Sequence, residues 1–139
     1  MNIVGSFDRE VGILYSVNKS AIQGKDIWFT NEEFNYFIGP IVDNKYVTIP
    51  KAFLTDGASV PRLFWSIFPP WGVYGQAAIV HDFLCDNKML TMNGDVPRCE
   101  LTYQQIDSIF YDAMKVAGTP VWKRALIYAA VRVFHNLGI

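Results

Sequence analysis

The sequence has little net charge and no strongly basic segment. It contains 12 Lys and Arg residues against 13 Asp and Glu residues, which gives a formal net charge of -1. No run of basic residues is longer than the pair Lys123-Arg124. Nucleic-acid binding usually requires a basic patch, so we expect no nucleic-acid partner.

Long apolar runs are also missing. Residues 1–7 lack the basic start and the apolar stretch of a secretion signal. In the C-terminal third, charged residues interrupt the apolar stretch before it reaches the roughly 18–20 residues that a membrane span needs. We therefore expect no export signal and no membrane span. The expected location is the cytoplasm, unless the protein is packaged into a particle.

Cysteine is scarce, with only Cys85 and Cys99 present. In a chain without an export signal, two cysteines are more simply interpreted as thiols than as a disulfide. A zinc site of His81, Cys85 and Cys99 is a weaker alternative. Histidine and cysteine four residues apart share a helix face, but no CxxC pair accompanies them.

What the sequence does contain is enough apolar residues for one packed domain spanning residues 1–139. Hydrophobic residues make up 51% and charged residues 18%, which argues against disorder. Residues 1–60 are predicted to be mainly β and residues 61–139 mainly α. The sequence therefore predicts an α+β fold, with a small N-terminal antiparallel β-sheet or meander followed by about three C-terminal α-helices.

Residue patterns predict the individual elements. Strands are expected at 2–7, 12–16, 27–30, 36–39 and 45–50. Helices are expected at 73–88, at 102–116, and from near Pro120 to just before Gly138. Residues 87–101 have little periodicity and are expected to form an exposed excursion between helices.

Apolar stripes predict the buried helix faces. For the helix at 102–116 the stripe consists of Ile106, Ile109, Phe110, Ala113 and Met114. For the last helix it consists of Trp122, Leu126, Ala129, Ala130 and Val133.

Polar chemistry is concentrated in one loop, residues 55–61, whose sequence is TDGASVP. Asp56-Gly57 is a turn dipeptide, and Ser59 can cap the helical turn that Pro61 favours. Backbone geometry is therefore a sufficient reason for this loop. Loops between rigid elements also carry function, so Asp56 and Ser59 are candidate catalytic residues. A serine nucleophile ranks below a metal or acid/base role, because the G-x-S-x-G elbow is missing.

A histidine interrupts the apolar face of the helix at 73–88. If the His81 ring is buried, both of its nitrogens need partners. A structural, hydrogen-bonded histidine is the commoner outcome, and a metal ligand or general base is the functional alternative. Asp82 points about 100° away from His81 on a helix. We expect His81 to face inward and Asp82 to cap a neighbouring loop or support the site.

Asp107 is the third candidate, at the edge of an apolar stripe. A carboxylate in that position is more often a rim charge, but it could reach His81 and orient the imidazole or share a metal. The candidate catalytic set is His81, Asp56, Ser59 and Asp107. The candidate metal ligands are His81, Asp56 and Asp107, which leaves a divalent metal open as a cofactor.

The loop of residues 68–71, with the sequence FPPW, is a candidate partner surface. A proline pair beside tryptophan often forms a stiff, partly exposed loop, so Pro70 and Trp71 are candidate contacts for a partner. A position at the edge of the core is the more common alternative.

These motifs together resemble a known family. Phe53, the TDGASVP loop, the PPWG segment at 69–72 and the His81-Asp82 pair are similar to an uncharacterised family found in bacteriophages and prophages. The resemblance covers roughly residues 45–135. It implies a phage or prophage origin, and thus the host cytoplasm or the virion as the location, but no established reaction.

The chain departs from this family at two positions. The family commonly has an aromatic residue in place of Cys85, which argues against a zinc site that uses this thiol. It also usually has a basic residue about one turn before Asp107. Here Arg98 or Arg132 is the expected substitute in an ion pair.

Two functional hypotheses follow. The first is a small hydrolase acting on a host-derived substrate, with His81 as metal ligand or general base and the carboxylates as ligands or orienters. The second is a structural, assembly or inhibitory protein that binds a host or phage protein. In that case the TDGAS loop and His81 form a latch between sheet and helices. The observation that separates them is whether His81 faces a solvent-connected cleft together with Asp56.

Overall fold

The structure is a computed structural model that describes residues 5–57, 74–87, 89–92 and 95–138, with backbone alone for 89–92 and 95–100. Ser59, Pro70 and Trp71 lie outside the described residues. The strands are β1 (Ser6–Phe7), β2 (Ile13–Tyr15), β3 (Trp28–Thr30), β4 (Phe34–Phe37), β5 (Lys45–Ile49), β6 (Leu54–Thr55), β7 (Met89–Met92) and β8 (Asp95–Glu100). The α-helices are α1 (Val17–Gln23), α2 (Gly75–Asn87), α3 (Tyr103–Val116) and α4 (Val121–Asn136), and a 3-10 turn spans Ile41–Asp43.

The strands form two antiparallel sheets. The larger has the order β1-β4-β5-β7-β8, and the smaller has the order β2-β3-β6. Helix α2 packs against β5 and α3, and α3 packs against α4. The α+β fold predicted from the sequence is confirmed, with the helices α2, α3 and α4 following the N-terminal strands.

Helix α3 follows its sequence pattern closely. The backbone amide of Gln105 donates to Thr102 Oγ1 at 3.2 Å, and the Thr102 amide donates to Gln105 Oε1 at 2.9 Å. This capping box satisfies two amide groups that a helix start otherwise leaves unpaired. Gly118, with a φ of 91°, follows the end of the helix. All five residues of the predicted apolar stripe are buried, so the helix is anchored as expected.

Helix α1, the 3-10 turn and the strands β6, β7 and β8 were not predicted. Helix α1 is short, and Ser20 is its buried residue, so it lacks an apolar stripe that the sequence could have displayed. Its ends are set by the Ser16 side chain, which accepts from the Lys19 amide, and by Gly24 in the left-handed region. The excursion expected at 87–101 instead contains β7 and β8, which pair with each other while β7 also pairs with β5. That pairing partner is distant in sequence, and local propensity does not reveal it.

The predicted buried face of α4 was wrong. Trp122 is 59% exposed, Leu126 44% and Val133 55%, whereas Ile127 and Val131 are buried. Ala129 is also exposed and Ala130 half-buried. The helix is rotated so that its polar residues near the C-terminus reach a buried carboxylate on α3. Among the described residues, no helix combines the length and apolar character needed to cross a membrane.

Candidate functional site

Asp107 is the centre of a buried polar cluster. Its side chain is 0% exposed, and both of its oxygens are engaged. Oδ1 lies 2.7 Å from His81 Nε2. Oδ2 accepts from Arg132 Nη1 at 2.8 Å and lies 2.7 Å from His135 Nδ1. One carboxylate therefore ties together α2, α3 and α4.

Aromatic stacking fixes the two imidazoles. His81 projects from the buried face of α2, is 2% exposed, and stacks on Phe110 with ring centroids 4.4 Å apart. His135, the next-to-last residue of α4, stacks on Tyr103 at the same separation of 4.4 Å. The two imidazoles face each other with centroids 5.7 Å apart. Helix positions and ring packing thus hold both rings beside the same carboxylate.

The cluster stabilises the charged form of Asp107. Burial by itself would raise the pKa of this carboxyl, but hydrogen bonds from His81, His135 and Arg132 outweigh it and lower the pKa below the ordinary value. An ionised carboxylate only accepts hydrogen bonds, so the facing nitrogens, His81 Nε2 and His135 Nδ1, must each carry a hydrogen. The Arg132 guanidinium, with Nη1 2.8 Å from Oδ2, provides a positive charge beside the carboxylate.

A thiol lies next to the histidines. Cys85 follows His81 by one helical turn, and its Sγ is 3.7 Å from His81 Nε2. One ligand atom each from His81, Cys85 and His135 all lie within 4.8 Å of one another. Imidazole nitrogen and thiolate sulfur are both zinc ligands. Cys85 is present as a thiol, whereas the side chain of Cys99 lies outside the described part.

An open cleft of about 470 Å³ gives access to this cluster. Its walls come from the segment between α1 and β3, from β6 with the residues beside it, and from α2 and α4. The lining residues are Gln23, Lys25, Ile27, Phe53, Leu54, Thr55, Asp56, His81, Asp82, Cys85, Asp86 and His135. His81 and Asp56 therefore border the same solvent-connected space.

The TDGAS loop meets the helices through Asp82. Thr55 Oγ1 donates a hydrogen bond to Asp82 Oδ2 and in turn accepts one from the Gly57 amide at 3.2 Å. Gly57 has a φ of 75°, in the left-handed region that favours glycine. Asp56 forms an ion pair with Lys25, with Oδ2 and Nζ 3.0 Å apart. Asp82 thus contacts the neighbouring loop, as helix geometry suggested.

The structure brings together some of the sequence candidates and adds others. Asp107 reaches His81, and Arg132, one of the two basic residues expected in an ion pair, pairs with Asp107. Asp56 lies on the shared cleft, where its ion-pair partner is Lys25. Sequence reasoning missed His135, although it lies three residues after Arg132 and shares its side of α4. An Arg and a His at that spacing near a helix end were the available signal.

Comparison with known proteins gives a family but no activity. A family described as "Protein of unknown function (DUF1353)" matches residues 28–131. The uncharacterized protein y4jT of Sinorhizobium fredii is 34% identical over 88 residues, which cover 62% of this chain and 23% of the relative. The uncharacterized protein y4iH of the same organism is 33% identical over 86 residues, covering 60% of this chain and 31% of the relative.

The match spans less than a third of each of these relatives. No solved structure is significantly similar to the chain. The family match covers residues 28–131 of 139, far more than half of the sequence. The chain therefore belongs to the DUF1353 family of proteins of unknown function.

Proposed function

We propose that this protein is a small phage- or prophage-derived hydrolase that acts on a host-derived substrate, either from the host cytoplasm or as part of the virion. The proposed active site is the cleft, where His81 and His135 activate a water molecule. The observation that carries the proposal is the buried carboxylate of Asp107, which orients two imidazoles at the wall of an open cleft. The family resemblance supports the phage origin and the host-derived substrate.

The Asp107–His135 pair has the arrangement that water activation needs. Because the ionised carboxylate fixes the hydrogen of His135 on Nδ1, the second nitrogen, Nε2, has a lone pair in the neutral ring. Nε2 makes no hydrogen bond within the described part of the chain. An imidazole oriented by a buried carboxylate is the acid/base unit of many hydrolases, and a neutral imidazole can also hold a catalytic metal.

The charge of the cleft favours a particular kind of substrate. Within the described ranges, its lining includes three carboxylates, Asp56, Asp82 and Asp86, against one ammonium, Lys25. A strongly anionic substrate such as nucleic acid is disfavoured by this balance. A substrate rich in hydroxyl, amide or amine donors suits it, and cell-wall glycans and peptides have that chemistry.

The Asp56–Lys25 ion pair lies on the lining of the cleft and is partly exposed. The Lys25 side chain is 48% exposed and that of Asp56 33% exposed. Exposed ion pairs contribute only about 0–1 kcal/mol, so a substrate donor can replace Lys25 at little cost. Asp56 therefore has a proposed role in binding or orienting the substrate rather than in supporting the fold.

A hydrolase screen tests the proposal. Purified protein is incubated with peptidoglycan fragments, peptides, esters and glycosides, and the His135→Gln and His81→Ala variants are compared with a Lys115→Gln control on the exposed side of α3. We expect wild type and control to hydrolyse one class, and His135→Gln to lose about 10²–10⁴-fold in rate. Equal rates in wild type and His135→Gln, or no hydrolysis by wild type, would overturn the proposal.

The contacts of the TDGAS loop favour a second candidate function. The Thr55–Asp82 hydrogen bond and the edge-to-face rings of Phe53 and Phe83, with centroids 5.4 Å apart, join β6 to α2. Such a latch would suit a virion component, an assembly factor or an inhibitor that binds a host protein. The partner would then contact Pro70 and Trp71.

This alternative makes different predictions. In the latch, His81→Ala leaves buried partners unpaired and lowers the free energy of unfolding by about 1–3 kcal/mol. Trp71→Ala weakens association with the partner and leaves the melting temperature unchanged. If His81→Ala unfolds with the same denaturant midpoint as wild type, the latch is ruled out.

A further inference from the structure

We infer that His81, Cys85 and His135 form a zinc site at the wall of the cleft. The inference rests on the proposed function in one respect: the bound ion would activate the water molecule for hydrolysis. Zinc binding itself needs no substrate and can be measured without one. The carrying observation is that one nitrogen or sulfur atom from each residue lies within 4.8 Å of the others.

The spacing of the ligand atoms suits one ion. With a Zn–N bond of about 2.0–2.1 Å and a Zn–S bond of about 2.3 Å, two ligands of a tetrahedron are about 3.6 Å apart. His81 Nε2 and Cys85 Sγ are 3.7 Å apart. Both residues lie on α2 four positions apart, so the helix fixes their separation. His135 comes from α4 and completes the set with a modest side-chain adjustment.

The donor atoms select the metal. Two imidazoles and a thiolate suit zinc, whereas Mg²⁺ and Ca²⁺ prefer oxygen ligands. Structural zinc sites usually have four protein ligands, while catalytic sites have three and leave one position for water. The described residues offer three such ligands beside an open cleft. The site thus has the form of a catalytic zinc centre.

Asp107 provides the support that metal-binding histidines need. Ligating histidines usually donate their other ring N–H to a carboxylate, which fixes the tautomer. His135 Nδ1 already has this contact with Asp107, and this leaves Nε2 for the ion. At His81, Nε2 itself lies 2.7 Å from Asp107 Oδ1. An ion bound to this nitrogen would replace its hydrogen, and Oδ1 would turn aside, so Asp107 supports His135 and not His81 as a ligand. Arg132, 2.8 Å from Oδ2, would keep the buried carboxylate compensated.

The proposed set differs from the zinc site suggested by sequence alone, which used His81, Cys85 and Cys99. His135 takes the place of Cys99 because His135 lies with His81 and Cys85 in the structure.

Cobalt substitution tests the site on the full chain. Metal-free protein is titrated with Co²⁺, whose visible absorption reports tetrahedral geometry and whose near-ultraviolet charge-transfer band reports a sulfur ligand. We expect both signals in wild type, and we expect Zn²⁺ to displace the cobalt. Cys85→Ser should lose the sulfur band, while Cys99→Ser, the matched control, should retain it. Thermal unfolding of each variant verifies that it is folded.

Two further variants distinguish the residue that binds the metal, His135, from the carboxylate that orients it, Asp107. His135→Gln should retain the sulfur band but bind Co²⁺ much more weakly, because it loses a ligand. Asp107→Asn should weaken binding by about 10–100-fold, the usual effect of losing a carboxylate behind a metal-bound histidine. Two results overturn the inference: wild type without either signal, or a sulfur band that disappears in Cys99→Ser and persists in Cys85→Ser.

The zinc site and the proposed hydrolase can fail separately. Wild type that hydrolyses a substrate but binds no cobalt or zinc refutes the zinc site and leaves the histidines as acid/base groups. Wild type that binds the metal through Cys85 but hydrolyses nothing upholds the site and refutes the hydrolase. Metal-dependent hydrolysis lost in both His135→Gln and Cys85→Ser supports the two together.

Discussion

Helices α3 and α4 lie side by side but use their apolar residues in opposite ways. α3 buries the whole stripe that its sequence predicts, from Ile106 to Met114. α4 leaves Trp122, Leu126 and Val133 largely exposed. The side that it turns inward includes Ile127 and Val131, followed by Arg132 and His135, which reach Asp107.

The relative energies explain this difference. Burying one more large apolar side chain on α4 would contribute about 1.5–3 kcal/mol. Leaving a buried carboxylate without its partner costs about 3–5 kcal/mol. Because the second quantity is larger, α4 adopts the rotation that brings Arg132 and His135 to Asp107. The orientation of α4 is therefore set by the polar cluster, and that of α3 by apolar burial.

The largest loss of stability is expected when the carboxylate of Asp107 is removed, because its contacts hold α4 in its orientation. Asp107→Asn preserves the shape of the side chain but removes its negative charge and replaces one of the two acceptor oxygens with an NH2 donor. The side chain can then no longer accept from both histidines and Arg132 together. We expect the free energy of unfolding to fall by about 3–5 kcal/mol, as measured by urea denaturation at neutral pH.

Asp112→Asn is the matched control for this experiment, since Asp112 is exposed on the same helix. Although the residue as a whole is exposed, neighbouring atoms partly desolvate its carboxyl and raise the pKa, so losing the charge should leave stability unchanged or slightly higher. If the two variants had equal denaturation midpoints, the cluster would not determine the position of α4.

A smaller loss of stability is expected when one apolar side chain is shortened on each of the two helices. Met114 is fully buried on α3, so Met114→Ala should cost about 2–5 kcal/mol. Val133 is 55% exposed on α4, and Val133→Ala should change stability by no more than about 0.5 kcal/mol. Thermal and urea unfolding measure both. A loss at Val133 as large as that at Met114 would mean that the exposed side of α4 is covered.

The sequence predicted those elements in which the residue pattern matches the observed burial and the observed ends of the element. For α3, the capping residues, the apolar stripe and the terminal glycine all indicate the same helix, and the structure has it. Strands β3 and β5 were predicted for the same reason. By contrast, β7 and β8 were missed although they pair with each other and Asn93-Gly94, a dipeptide typical of two-residue hairpins, stands between them in the sequence. Only the pairing of β7 with β5 involves a partner more than forty residues away, which no local pattern encodes.

The candidate site was predictable only in part. His81 could be identified because an imidazole on an apolar helix face requires a partner, and Asp107 was among the partners considered. His135 was missed because α4 was assigned the wrong buried face. The rule that apolar residues face inward fails on this helix because a buried charge competes with them. Such failures are expected near functional sites.

The smallest effect in this comparison is the pH dependence that Asp107 imposes. Its pKa is lowered in the folded protein, so the unfolded chain binds a proton at a higher pH than the folded one. The contribution to stability is fully present above the ordinary aspartate pKa of about 3.9 and is lost as the pH falls through the lower, folded pKa. Each unit of pKa difference corresponds to about 1.4 kcal/mol.

Asp107→Asn has no such group, and comparing it with wild type removes the contributions of the other carboxyls. The difference in unfolding free energy between the two proteins should narrow as the pH is lowered from about 4. Urea denaturation at closely spaced pH values measures this difference. A difference that stays constant or widens across that range would show that Asp107 is not stabilised as an anion. In that case the polar cluster could not be what rotates α4 away from its apolar side.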